Sequence, residues 1–390
     1  MVNMRPPSPK ILVPFCKPDY GREEREAFEQ AINSGRLEGG GAQTRECESY
    51  IEKTTGTKRA LITPSCTAAL EMMALALDLG PGDEVIVPAF TFVSTANAFA
   101  LRGAVPVFAD IDPQTLNLDI EAARAAITPK TRAIMLVHYA GVGCEMEAFV
   151  DLCAEHNLVL LEDAAQAVGA RWNGKALGAF GAMGAYSFHH TKNITCGEGG
   201  ALLVNDPALV KPSEFIRDKG TDRFDFLRGT ITKYEWQVPG SSYLLSELAA
   251  AVLLGQFRRE QPLTKARMRI WQAYDAAFGP LNSLRTPYIP KAAEHNAHIY
   301  HLRFANQKLR DECAAFMRAH GVMTAPHYVP LHTTPAGRKY GRASGELPHT
   351  IDVAQTLLRL PLYSAMSDDE LALVIDTMQA FLHQNGLATS

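Results

Sequence analysis

The chain has 390 residues, 47% of them hydrophobic and 21% charged. That composition excludes wholesale disorder and supplies enough apolar surface for two domains, or for one large domain with a smaller one attached. Lys and Arg number 38 against 42 Asp and Glu, a formal net charge of −4, so there is no basic footprint for nucleic acid and no polybasic face for an anionic membrane.

Seven cysteines are scattered along the chain without a Cys-x-x-Cys pair. Neither a disulfide framework nor a zinc ribbon is expected. Residues 1–10 lack the apolar core of a secretory signal. The longest uncharged run, residues 85–101, is interrupted by Pro88, Thr91, Ser94, Thr95 and Asn97. It reads as strand, loop and helix rather than as a membrane span. A cytoplasmic protein is expected.

From about residue 58 to 205, short apolar runs alternate with helical patterns. Residues 60–62 read as a strand, and residues 67–79 as a helix stopped by Gly80-Pro81-Gly82. Strands follow at 84–87 and 105–109, around a helix at 94–101. Strands at 133–137 and 158–161 flank a helix at 145–156. This alternation implies an α/β fold with a largely parallel sheet covered on both faces. Ligands collect at the carboxyl ends of such strands, which singles out residues 65–67, Thr91, Phe92, His138 and residues 163–166. Beyond residue 205 the texture changes. Residues 217–223 read as a polar loop and 246–265 as one helix. Strands at 299–304 and 327–329, with helices at 311–320 and 368–384, complete a smaller α+β unit. The domains are placed at 1–261 and 262–390.

Three motifs carry chemistry. Lys192 follows Tyr186-Ser187-Phe188 and precedes Gly197-Glu198-Gly199-Gly200. A lone lysine would be a solvated one, but aromatic and small residues here make a partly apolar pocket that lowers an amine's pKa and suits Schiff-base chemistry. Asp163 ends the run Leu160-Leu161-Glu162. It either caps the next helix or holds a ring nitrogen protonated, as pyridoxal phosphate requires. Ser65-Cys66-Thr67 opens a helix, where free N–H groups bind phosphate; Ser65 is equally an ordinary cap. Gly197–Gly200 lacks the spacing of a dinucleotide fingerprint. His295, His298 and His301 suggest a metal at first sight, but strand spacing puts His298 on the opposite face from the other two. No metal is expected.

Together the three motifs resemble the nucleotide-sugar aminotransferases, pyridoxal-phosphate enzymes of fold type I, the aspartate-aminotransferase-like architecture of a large, mostly parallel sheet domain plus a smaller C-terminal domain. The likeness runs from about Pro14 to the last helix and includes residues 81–88, 91–97, 217–220 and 327–332. Residues 63–68, 90–99, 137–142 and 240–244 are most similar to transaminases that aminate dTDP-4-dehydro-6-deoxyglucose at C4. The resemblance implies that Lys192 forms the Schiff base and shuttles the proton, and that Asp163 pairs with the pyridine nitrogen. It places Gln166 near the cofactor's 3′-oxygen, Phe92 on the ring face, and Cys66, Thr67 and Ser187 at the phosphate. His327 and His332 become candidates for the sugar site, although a loop histidine is more often structural. The implied partners are a nucleotide-linked keto sugar, an amino-acid donor such as L-glutamate, and a second copy of the chain completing each site. Many relatives carry Asn or Arg where this chain has Leu244, reaching the partner's phosphate. Leucine cannot donate, so that contact is either absent or made by Ser241 or Ser242. Other readings are the glucose-configured 4-amino isomer, amination at C3, a lyase in which histidine replaces the lysine, and a non-catalytic binding protein. The presence of Lys192 and Asp163 disfavours the last two.

Overall fold

Eight strands form one sheet in the structure, a computed structural model that describes residues 11–388. Residues 1–10, read above for a secretory signal, lie outside the described residues. In chain order the strands are β1 (Arg59–Thr63), β2 (Glu84–Pro88), β3 (Val105–Ala109), β4 (Thr131–Val137), β5 (Val159–Asp163), β6 (Arg171–Trp172), β7 (Lys175–Ala176), β8 (Met183–Ser187) and β9 (Gly200–Val204). The C-terminal part adds β10 (Ala293–Glu294), β11 (His301–Arg303), β12 (Arg342–Ala343) and β13 (Leu357–Arg359). The large sheet runs β1-β9-β8-β5-β4-β2-β3-β12. Only β9 is antiparallel to its neighbours, β1 and β8. The carboxyl ends of β1, β2, β5 and β8 therefore share one edge.

Strand sequence explains burial on both faces. Ile62, Ile86, Val107, Ile134, Leu136 and Leu203 enter one core, while Leu61, Val85, Val87, Phe108, Met135 and Leu202 enter the other. Side chains alternate across a sheet, so each strand must be apolar at every position to serve two helical layers. A third core gathers Val13, Ile270, Tyr274, Tyr300, Leu302, Met317, Leu358 and Phe381. A smaller cluster, with Phe90, Tyr139, Ile299 and Leu357, joins the two parts.

Several expected elements change. The helix expected over 246–265 is two, Glu247–Arg258 and Glu260–Phe278, broken at Arg259 (φ −108°). Pro262 cannot donate to the carbonyl four residues back, and its ring clashes there. It is accommodated in the first turn of the second helix, where N–H groups have no helical partner. Residues 327–329 form no strand, because Pro326 and Pro330 flank them and neither can donate a ladder bond. The strand expected over 299–304 shortens to His301–Arg303. Residues 295–300 are irregular, with Ala297 at φ 51°, so the alternation argued for the three histidines does not apply. His295 packs on Trp271 and His301 lies against Tyr139. Arg217 is not in a solvated loop: it closes the Val210–Arg217 helix, buried and ion-paired with Glu48.

Candidate active site

A cavity of about 610 Å³ opens at the shared carboxyl edge of the sheet. Three strand ends build its floor. After β1, Ser65 caps the Cys66–Ala76 helix, its hydroxyl accepting from Ala68 N at 3.1 Å. Cys66 and Thr67, in the first turn, line the cavity, and first-turn N–H groups are free for an anion. Gly200 lies in register with both Thr63 and Ser187. A side chain there would overlap the backbone of Ser65 and Cys66, so glycine permits the helix start to sit against the sheet. Thr67 and Ser94 exchange a hydrogen bond of 2.7 Å between their hydroxyls. Ser187 ends β8, buried and facing the same cavity.

Asp163 ends β5 and is buried. The Thr95 hydroxyl donates to Oδ2 at 2.7 Å and Ala165 N donates to Oδ1 at 3.1 Å. Thr95 is in turn 2.8 Å from the Thr91 hydroxyl. Burial pushes the Asp163 carboxyl above the usual carboxylate range, against the Thr95 and Ala165 bonds and the Lys192 charge. Lys192 stands on a turn closed by Lys192 N to His189 O (2.9 Å) and Cys196 N to Phe188 O (3.0 Å). Its side chain lines the same cavity. Burial holds its amine below the ordinary lysine value, with Cys66 and Asp163 opposing. Phe92, at the start of the Val93–Ala100 helix, lines the cavity while 57% exposed. An aromatic face that open is available for stacking.

The walls are less regular. Gln166 accepts from Ala140 N at 2.7 Å and donates to the Tyr328 hydroxyl at 3.0 Å, leaving one amide hydrogen toward the cavity it lines. His327 stacks on Tyr328 at 3.6 Å between centroids and pairs with the Tyr139 hydroxyl at 3.1 Å. His298 bonds Asn193 Oδ1 at 2.8 Å and lines the cavity. Burial keeps both imidazoles well below their usual pKa and hence neutral. Sequence reasoning missed His298, Tyr328, Arg267 and Arg359 as parts of this cavity, and Thr95 as the hydroxyl that holds Asp163 beneath it.

Three expected substrate residues do not line their own chain's cavity. His332 sits in the Leu331–Thr333 turn, which Leu331 N anchors to Ala89 O at 3.0 Å, and it faces toward Asp110. Ser241 and Ser242 are exposed, their backbones engaged with Lys219 and Asp218. Leu244 lies against Gly39.

A buried carboxylate and a half-buried lysine on one floor, beside a helix start, are the features of a pyridoxal-phosphate-dependent aminotransferase of the type I fold. The chain belongs to the DegT/DnrJ/EryC1/StrS aminotransferase family, whose profile matches residues 18–379. It is 34% identical to the spore coat polysaccharide biosynthesis protein SpsC of Bacillus subtilis over 376 residues, 94% of this chain and 96% of that one. The aminotransferase TlmJ of Streptoalloteichus hindustanus superposes with a TM-score of 0.89 at 31% identity, covering 96% of this chain and all of TlmJ. The sugar aminotransferase Spr1654 of Streptococcus pneumoniae, in its pyridoxamine-phosphate (PMP) form, gives 0.89 at 26% identity, covering 95% and 99%. This protein is thus a sugar aminotransferase, and pyridoxal phosphate is its cofactor.

The residues present fit that group. Asp163 has its hydrogen-bond acceptors facing two neutral donors and no cation within ion-pair distance among the described residues. A buried carboxylate so placed calls for a protonated ring nitrogen. No helix of the described residues is long and apolar enough to cross a membrane.

Proposed function

We propose that this enzyme transfers the amino group of an amino acid, L-glutamate, to C4 of dTDP-4-dehydro-6-deoxy-D-glucose, giving dTDP-4-amino-4,6-dideoxy-D-galactose. The observation that carries the transfer is the placement of Lys192 and Asp163 on one cavity floor. The sugar assignment is supported by the wording of residues 63–68, 90–99, 137–142 and 240–244, and SpsC supports a polysaccharide destination. We infer a cytoplasmic homodimer, each chain divided into domains 1–261 and 262–390, in which Ser241 or Ser242 serves the partner's site in place of a donor at Leu244.

Pyridoxal phosphate, when bound, supplies an aldehyde and an electron-withdrawing ring. Desolvation leaves Lys192 Nζ unprotonated at lower pH than an exposed lysine, so it would serve as the amine that holds the cofactor and as the base that moves a proton at the substrate carbon. Asp163 would hold a proton on the ring nitrogen, and Thr95 and Ala165 N fix which way its oxygens point. Cys66, Thr67 and Ser187 would hold the phosphate, Phe92 would cover a ring face and Gln166 would offer its remaining N–H to the 3′-oxygen. His327 lines the cavity and would meet the hexose there, and as a neutral imidazole it can donate or accept.

Product analysis tests the substrate. Incubated with glutamate and the 4-keto sugar, the enzyme is expected to give an amine whose H4 shows small proton couplings, as an equatorial H4 requires. Large couplings would replace the galactose with the glucose configuration. Amination only of a 3-keto sugar would move the reaction to C3.

A further inference from the structure

The imidazoles of His298 and His327 both line the cavity, near enough to Lys192 to feel its charge. In each ring Nδ1 is bonded to protein, while Nε2 has no protein partner among the described residues and is open to the cavity. In a neutral imidazole one nitrogen donates and the other accepts, and the bond at one fixes the character of the other.

The two rings come out with opposite polarity. Asn193 Nδ2 donates to the Asn296 carbonyl at 2.8 Å, which turns Oδ1 toward His298. An amide oxygen only accepts, so the hydrogen of that 2.8 Å bond belongs to His298 Nδ1. His298 Nε2 thus presents a lone pair to the cavity. At His327 the partner is the hydroxyl of Tyr139, a residue 1% exposed with no other hydroxyl acceptor among the described residues. Tyr139 donates to Nδ1, since the reverse would bury an unpaired hydroxyl hydrogen. His327 Nε2 therefore carries the hydrogen and presents a donor. Burial keeps both rings uncharged, so no second proton reverses either polarity.

The acceptor is also held still. Arg267 donates to the carbonyls of Ala297 and His298 at 3.1 and 2.8 Å. Asn296 Nδ2 donates to Gln166 O and Val168 O at 2.9 Å each. A carboxylate takes only donors and an ammonium only acceptors, whereas a hydroxyl both gives and takes. One fixed lone pair beside one N–H fits a neutral polyol better than either end of an amino acid.

We propose that His298 Nε2 accepts the hydrogen of the sugar hydroxyl on the carbon next to the reacting carbonyl, with His327 Nε2 donating to a sugar oxygen. The proposal deepens the sugar-aminotransferase reading and rests on it. Lys192 serves the reacting carbon, and the very next residue, Asn193, is what orients His298. The group read there is accordingly the nearest neighbour of the carbonyl. His298 is in this sense a specificity-determining residue.

The test compares the keto sugar that the enzyme turns over with its analogue lacking that one hydroxyl, each half-reaction being followed alone by cofactor absorbance. The wild type is expected to lose about 10- to 100-fold in kcat/KM on the deoxy analogue. His298→Asn keeps a donor at the Nδ1 position for Asn193 and removes the Nε2 lone pair; it should lose a similar factor on the full sugar and discriminate less than about 3-fold. His298→Gln, which keeps an acceptor at the Nε2 position, should retain part of the discrimination. The glutamate half-reaction should change less than about 3-fold in both. A second readout avoids turnover: calorimetric binding of the amino-sugar product, with and without the hydroxyl, should show the same pattern. A wild type that treats sugar and analogue alike would overturn the proposal, whether or not the variants fold. So would full discrimination retained by His298→Asn, or a loss concentrated in the glutamate half-reaction, which would make His298 the acceptor for the donor's amine. Failure of the wild type to aminate any keto sugar would instead remove the reading on which the proposal rests.

Discussion

The floor and the roof of the cavity are built differently. On the floor, both Asp163 oxygens accept a hydrogen bond and Ser65 is spent on its helix. Beneath it, the Glu162 carboxylate accepts from Gly178, Phe180 and Gly181 N at 2.7 Å each and pairs with His138 at 2.9 Å. The roof, made from residues 295–299, 325–328 and β13, retains buried polar atoms without partners, Arg359 Nε and Asn296 Oδ1 among them. A fully satisfied network holds one arrangement, which suits a resident cofactor. Idle donors suit ligands that come and go. Two substrates of different shape must use the same opening in turn, so the roof is where satisfaction is left to them.

Changes to the floor should therefore be the most damaging. Asp163→Asn is expected to lower kcat by about 10²- to 10³-fold with a smaller effect on cofactor affinity, because the carboxylate acts mainly on charge developing in the transition state. Equal losses in both would reduce Asp163 to a structural cap. The same variant should stabilise the cofactor-free protein. A carboxyl whose folded pKa is raised contributes a penalty absent below the unfolded value, growing as pH rises toward the folded one. The melting gap in favour of Asn should thus widen from acid to neutral pH; a gap of opposite sign would contradict the burial argument. Next in size, Glu162→Ala leaves His138 and three N–H groups without their buried partner and should cost about 3–5 kcal/mol, read by denaturant titration. A loss below about 1 kcal/mol would mean that the floor is not held this way. The smallest effect is expected for Ser65→Ala, about 1 kcal/mol for a lost cap, with cofactor affinity reporting whether the helix start also loses an anion contact.

The same contrast governs what could be read from the chain. Asp163 closes a strand that begins with the apolar run 159–161, and Ser65 follows one built on 60–62, so the strand end, and hence the site, was visible locally. Lys192 was visible through the aromatic and glycine residues around it. Thr95 escaped notice because it lies in the first turn of the helix after β2, where a threonine is an ordinary residue and signals nothing. The roof comes from short irregular pieces tens of residues apart. His298 sits beside a left-handed Ala297 that no periodicity announces, and the prolines around His327 turned an apparent strand into an extended loop. β12, two residues long, joins the sheet edge through the ion pair of Arg342 with Glu84 (2.7 and 2.9 Å), a contact between residues 258 positions apart. Arg359 did leave a trace: a cation inside Leu357-Leu358-Arg359-Leu360-Pro361-Leu362 contradicts a buried strand unless it has work there.

The central claim is that Lys192 carries the cofactor. Borohydride reduction of the yellow enzyme followed by peptide mapping tests it most directly. The label is expected on Lys192 Nζ, and Lys192→Ala should keep its fold, take up no covalent label and lose the half-reaction with glutamate. A label on any other lysine, or normal turnover by Lys192→Ala, would contradict the account.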